Sequence, residues 1–402
     1  MRRAPKPTQF SPTRDVVAGA NGYVGRIFGD FRIRKVERAT EQLAVYLADD
    51  LTPQPRRYVL LKVLRRPGLD DPDFERSFDA EAQVALRLHH PAILRAFARP
   101  EIDGFPAIAF EGTDGPRLSQ VLQQARGRGV GLPFDAVCTI GVRLLEGLQY
   151  AHRQTDLDRQ PLAHQSVCPD NVYLRRSGSV RLAHFAGRGL DRLSDLQVRL
   201  PYLAPEQVNG AGQAASDQYG VAVILVELIS GRRLFEAASP RALAQAIVDR
   251  DRPPVARLLP FKSTALEIAL ERALSVDPRD RFPNAAAFAK ALDRALAQGG
   301  RSIQDEAVAE ALESANAVRT PSPVQDQLQR HRIGAQPLVF SEGRKITRSQ
   351  PRLPTPQPEQ DPVMSSHVPE PRSTGALKMG LFAATLAGLA AAGWFAGQSL
   401  GW

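Results

Sequence analysis

Cysteine is almost absent from this chain: its 402 residues include two, Cys138 and Cys168. That excludes a disulfide-stapled scaffold and fits a reducing compartment. Aromatic residues make up only 6%, and none interleaves a basic run, so no nucleic-acid-binding face is expected. There is no internal repeat. The segment MRRAPKPTQFSPTRD is basic, but no apolar core follows it, and no signal peptide is predicted. What is present is arginine in excess of lysine and a formal charge of +9. Scattered surface arginine is the plain reading of that charge; a basic face toward anionic lipid is the sharper one. With 43% hydrophobic residues, the chain is long enough for one large or two medium domains with a sizeable core.

Long charge-free apolar runs are also missing, with one exception. Met379 to Gly397 carries no charge and is long enough to span a bilayer as a helix. Lys378 and Arg372 lie on its N-terminal side, and the positive-inside rule then keeps residues 1–378 in the cytoplasm. The expectation is a single-pass helix over 377–402 in the inner (cytoplasmic) membrane, with no sensor domain beyond it. A buried helix of a soluble domain is the competing reading. Gly380, Ala384, Gly388, Ala392 and Ala396 recur every fourth residue, a spacing that lets two membrane helices approach closely and form a homodimer. An Ala/Gly-rich anchor without a partner accounts for the same pattern.

Composition divides the rest. Residues 1–29 read as a disordered basic arm. Residues 298–376 are Pro/Gln/Ser-rich and read as a flexible tether, interrupted by a short helix at about 303–317. Thr320 and Thr355 each precede a proline there; they are ordinary linker threonines or, if phosphorylated, sites for an Arg-lined reader. Between these, 30–297 is periodic throughout. FRIRKV, LAVYLA and YVLLKVL read as strands. Asp71-Pro72 offers a helix N-cap, and Phe74, Phe78, Ala85 and Leu88 share the face of the helix that follows. From about 134 onward helices dominate, and Val221–Ile229, which includes Glu227, reads as a buried central helix. This is an α+β plan: a small β-rich lobe (about 30–111), a larger helical lobe (about 112–297) and a cleft between them. VVAGANGYVGR at 16–26 looks like a dinucleotide-binding turn, but a Pro-rich arm precedes it and a strand pattern follows, so that reading is set aside.

Two residues stand out against this pattern. Lys62 lies inside the apolar strand VLLKVL, and Glu81 lies on the buried face of the helix, three residues after Phe78. Each needs a partner, since an isolated buried charge is costly, and each can supply the other's. The pair resembles the strand lysine and helix glutamate of protein kinases. The resemblance then runs in family order across 30–297. FPAIAFEGTDG is similar to the hinge, with Phe110 and Glu111. LAHQSVCPDNVYL is similar to the catalytic loop, and SVRLAHFAGRGL to the metal-binding loop. Ala204-Pro205-Glu206 matches the Ala-Pro-Glu segment, Asp217 opens the central helix, and Arg281 stands where the family pairs an arginine with Glu206. The style is that of bacterial Ser/Thr kinases, some of which are membrane-tethered. The resemblance implies that Lys62 holds nucleotide phosphates and that Asn171 is a magnesium ligand; a purely structural Lys62–Glu81 pair is the alternative.

The departures fall where the family's chemistry lies. Arg38, Thr40 and Leu43 occupy the phosphate-loop glycine positions, which lets side chains block the approach of backbone to phosphate; Arg38 itself is a candidate occupant of the phosphate site. Ser166 stands in place of the catalytic aspartate, and a serine hydroxyl is not a base near pH 7. Cys168 replaces the usual lysine. His184 replaces the metal-binding aspartate, and imidazole suits hard Mg²⁺ poorly. Ala186 removes a glycine, and Val198-Arg199-Leu200 stands where Gly-Thr precedes the Pro-x-Tyr end. Asp170, Asp191 and Asp195 are candidates for a displaced ligand.

Together these readings predict a membrane-tethered pseudokinase acting as a signalling scaffold or allosteric regulator. No cofactor or metal is required; ATP would bind weakly or without Mg²⁺, if at all. The expected partners are proteins: another kinase, a substrate or a phosphopeptide-binding domain. The alternatives are a divergent active Ser/Thr kinase and a non-catalytic ATP-binding switch.

Overall fold

The computed structural model describes residues 22–52, 57–156, 159–185, 196 and 198–314. Residues 1–21, Ala186, Asp191, Asp195, Thr320, Thr355, the expected tether beyond 314 and the run Met379–Gly397 lie outside the described residues.

The β-rich lobe is one antiparallel sheet. Its strands are β1 (Ile27–Phe28), β2 (Phe31–Ala39), β3 (Leu43–Asp50), β4 (Arg57–Leu64), β5 (Ala96–Ala98), β6 (Glu101–Ile102) and β7 (Phe105–Glu111). The order is β1-β2-β3-β4-β7-β5, with β6 paired to β7. Alternation at period two separates the faces. Ala44, Tyr46, Val59, Leu61, Ala107 and Ala109 bury one face beneath Phe28, Phe31 and Ile102. Leu43, Val45, Leu47, Leu60, Leu64, Ile108 and Phe110 bury the other, against Phe74, Phe78, Ala82 and Ala85 of helix α1 (Pro72–Arg87). The Asp71 side chain caps that helix, accepting hydrogen bonds from the Asp73 and Phe74 amides. A turn over 22–26 that includes Gly22 and Gly25 precedes β1, and β1 stands where a pyrophosphate-binding turn would need a helix.

The helical lobe contains α2 (Leu118–Arg128), α3 (Phe134–His152), hairpin strands β8 (Val172–Leu174) and β9 (Val180–Leu182), and helices α4 (Ala214–Ser230), α5 (Pro240–Val248), α6 (Thr264–Ala273) and α7 (Ala285–Ala297). Helix α4 is buried from Ser216 to Ile229, as an apolar run with no polar face requires. Its Glu227 Oε2 accepts hydrogen bonds from the Tyr202 hydroxyl at 2.8 Å and Arg126 Nη1 at 3.3 Å.

One boundary needs correction. The tether was expected to begin at 298, but α8 (Asp305–Ser314) belongs to the folded body. Val308, Ala311 and Leu312 are buried in the helical lobe's core, Asp305 pairs with Arg143 at 2.8 Å, and the Gln304 amide lies 3.3 Å from the Thr139 hydroxyl. Gly178 makes room for this helix. Its φ is +85°, and a Cβ there would come within 1.7 Å of the Asp305 carbonyl oxygen. Among the described residues no helix is long and apolar enough to cross a membrane.

Candidate functional site: the Lys62–Glu81 cluster and the catalytic-loop stretch

Lys62 stands in β4 between Val45 of β3 and Ile108 of β7. Its Nζ lies 2.7 and 2.5 Å from the two carboxylate oxygens of Glu81, and both side chains are buried. The strand and the helix are thereby joined by a charge-assisted pair in low dielectric. Burial alone would raise the Glu81 carboxyl; the Lys62 ammonium and then His184 outweigh it and hold it at about 2.

His184 is a third member of this cluster. Its Nδ1 lies 3.5 Å from Glu81 Oε1, and its ring meets Phe110 edge-on with centroids 5.8 Å apart. Burial, reinforced by the Lys62 charge, pushes the imidazole down to about 4, so it is neutral at pH 7. Its φ of +67° is unusual for a residue with a side chain. Gln165, in the catalytic-loop stretch, shares that conformation at +59°. The backbone makes both bends although the side chains there are not the family's.

Asp217 organises the catalytic-loop stretch. Its carboxylate accepts from the His164 amide at 2.8 Å and the Gln165 amide at 2.7 Å, and His152 Nε2 lies 2.8 Å away. His164 in turn meets the Ala183 carbonyl at 2.9 Å and packs edge-on against Phe185. The second structural anchor is the bidentate pair of Arg281 with Glu206, at 2.6 and 2.8 Å. Arg281 is fully enclosed and also donates to the carbonyls of Ala215, Ser275 and Val276.

Ser166 is buried, and its hydroxyl oxygen accepts a hydrogen bond from Arg199 Nη1 at 3.0 Å. Asn171 Nδ2 donates to the Ser166 carbonyl at 2.9 Å. A guanidinium thus stands against the position where the resemblance places a carboxylate. A neutral hydroxyl with its lone pair engaged by a cation has no capacity to take up a substrate proton at pH 7.

At the metal-site positions hard oxygen donors are few. Asn171 Oδ1 is buried without a hydrogen-bond partner among the described residues, so one oxygen donor is available. The second position is the imidazole of His184, a nitrogen donor whose Nδ1 lies 3.5 Å from Glu81 Oε1. Asp170 does not replace it: its Oδ1 is held by Arg117 Nη1 and Ser119 Oγ, both at 2.9 Å. Among the described residues no group of three or more His, Cys, Asp or Glu could hold a metal. The donor set of the described residues does not fit Mg²⁺, which requires several oxygens.

The phosphate-loop positions form a tight turn between β2 and β3. The Thr40 amide donates to the Leu43 carbonyl at 2.8 Å, and the Leu43 amide donates to the Thr40 hydroxyl at 3.1 Å. Two N–H groups that a phosphate would need are engaged by the turn itself. Arg38, on β2, lies near Cys168, Tyr173 and His184 and influences the ionisation of all three, so its charge belongs to the junction between the lobes.

The Protein kinase domain family model matches residues 52–292, more than half of the chain. The chain belongs to the protein kinase family. It is 31% identical over 296 residues to the serine/threonine-protein kinase Pkn1 of Myxococcus xanthus, covering 70% of this chain and 40% of that protein. It is 31% identical over 288 residues to PknJ of Mycobacterium tuberculosis, covering 68% of this chain and 47% of that protein. The crystal structure of the Mycobacterium tuberculosis PknI kinase domain matches with a TM-score of 0.51 at 28% identity, covering 67% of this chain and 98% of that one. The chain spans half or less of the length of these curated relatives. The bilobal fold and the bacterial Ser/Thr kinase type follow from these matches.

Five contacts of the site were not anticipated from sequence: Arg199 to Ser166, Arg117 to Asp170, Arg117 to Glu37, His152 to Asp217, and His184 to Glu81. A signal existed for the first, since Arg199 fills a motif position normally held by threonine. The others join residues whose types are ordinary in their own segments.

Proposed function

We propose that this chain is a catalytically degenerate protein kinase domain that works by binding other proteins, as a signalling scaffold or an allosteric partner of a kinase. The observation that carries this reading is the Ser166–Arg199 hydrogen bond: a hydroxyl and a fixed cation stand where phosphoryl transfer needs a carboxylate. His184 beside Glu81 adds the lack of a second hard metal ligand. Family membership is equally compatible with an active enzyme, and the named relatives are kinases; the chemistry of the site's residues favours the degenerate reading. The test is transfer of labelled phosphate from ATP, with Mg²⁺ or Mn²⁺, to the full chain itself and to generic protein substrates. Incorporation no greater than that of Lys62→Met is expected. Incorporation that Lys62→Met abolishes would establish the active enzyme instead.

The reading includes an anchor at the inner face of a membrane, supported by the charge-free run Met379–Gly397 behind Lys378. The full chain is expected in the carbonate-resistant membrane fraction, and a chain ending at 376 in the soluble one. Recovery of both in the soluble fraction would remove the anchor from the proposal. Self-association through Gly388 is tested by Gly388→Ile in a membrane dimerisation assay, where an unchanged signal argues against it.

A further inference from the structure

We infer that the cleft between the lobes is filled by this chain's own side chains and excludes a purine nucleotide. The kinase resemblance implies the path a nucleotide would take: phosphates toward Lys62, base toward the strand edge at Phe110 and Glu111. The roof of that path is the sheet face carrying Leu43, Val45 and Leu60; the floor is Tyr173 of β8 and Ala183. A planar ring held between two walls needs them about 7 Å apart, one van der Waals contact on each side. An open slot would leave both walls accessible. Instead Leu43 is 4% exposed, Val45 3%, Leu60 2% and Tyr173 3%. These residues, with Phe110 and Ala183, form one apolar cluster that runs from the sheet into the helical lobe. Leu60 and Tyr173 are bulky members of that cluster contributed by opposite lobes.

A polar latch lies beside the plug. Arg117, at the start of the helical lobe, donates through Nη2 to the Glu37 carbonyl of β2 at 3.0 Å. Its Nη1 holds Asp170 at 2.9 Å, and its backbone bridges to Tyr173. The strand that would have to lift to admit a ligand is therefore tied to the strand that forms the floor.

The inference concerns binding and goes beyond the loss of catalysis. Adenosine and ATP, each with EDTA and with Mg²⁺, are titrated into the full chain and followed by calorimetry and thermal unfolding. No heat and no shift at millimolar ligand are expected. Leu60→Ala with Tyr173→Leu opens the slot, and adenosine should then bind in the submillimolar range. Binding by the unaltered chain would overturn the inference, and so would a folded double variant that takes no adenosine. A second measurement does not depend on that variant. Leu43→Cys is placed in the full chain, whose own Cys138 and Cys168 are buried, and labelled with a maleimide. Labelling should be at least tenfold slower than at Val130→Cys, an exposed site, and adding Arg117→Ala should restore most of that factor. Equal labelling at positions 43 and 130 would overturn the plug, and no effect of Arg117→Ala would overturn the latch. Nucleotide binding without phosphate transfer would sink this inference and leave the proposed function intact; transfer would sink both.

Discussion

Lys62 and Glu81 are charged groups with almost no access to water, and each is tolerated because of the other. Removing one leaves the second buried and uncompensated, which costs about 3–5 kcal/mol. Lys62→Met is therefore expected to lower the unfolding free energy by about that amount in urea titrations, although the residue has no catalytic duty in the proposed function. Lys62→Met combined with Glu81→Leu should recover most of the loss, a coupling that a double-mutant cycle measures directly. A single variant costing under about 1 kcal/mol would contradict the pair's structural role. The same cluster sets an acid sensitivity. His184 is depressed from 6.5 to about 4, so between those values the unfolded chain binds the extra proton, and stability falls as pH drops from about 6.5 to 4. Glu81 is depressed from 4.5 to about 2, and its contribution is lost as pH falls through that lower window. The slope from one group is at most about 1.4 kcal/mol per pH unit. His184→Phe keeps a ring against Phe110 and should reduce the slope of the upper window, to which His90 and His164, also depressed by burial, contribute, as read from urea midpoints between pH 4 and 7. An unchanged profile would show that His184 is not among the titrating groups.

At the scale of elements, helix α8 shows where the boundary of the folded body lies. Val308, Ala311 and Leu312 have the i, i+3, i+4 spacing of a packed face, and that was the available signal. The Pro/Gln/Ser-rich composition on its far side led the segment to be read as part of a tether instead. Leu312→Ala is expected to cost about 2–5 kcal/mol, and a chain truncated after Gln298 should melt about 6–12 °C below one ending at Ser314, taking about 3 kcal/mol for the lost burial. Equal melting temperatures would make the helix an ornament of the surface. The strands and long helices were legible because alternation and 3.6-residue periodicity report directly on which side faces a core. The Lys62–Glu81 and Glu206–Arg281 pairs were legible because a charge inside an apolar run, or in a known motif, demands a partner. The plug was not. Leu60 and Tyr173 are apolar or amphipathic residues in apolar strands, and nothing local distinguishes a side chain that fills a core from one that fills a cleft. The latch was hidden by distance along the chain, since Arg117 reaches a carbonyl 80 residues away.

At the scale of the whole described body, the two lobes share a core. The cluster under the sheet includes Tyr173 and Ala183 from the helical side, so the sheet cannot lose its packing without disturbing β8 and the stretch before Phe185. A single cooperative unfolding transition is expected, with near-UV and far-UV circular dichroism giving coincident midpoints. Separated midpoints would mean that the lobes are stabilised independently. The proposed filling of the cleft would have a further consequence for physiology. A kinase fold that admits nucleotide can respond to the cell's balance of ATP and ADP through the occupancy of that cleft. A chain that supplies its own occupant would be deaf to that balance, and any signal it carries would be set by how much of it is made and where it is held, in starved and growing cells alike.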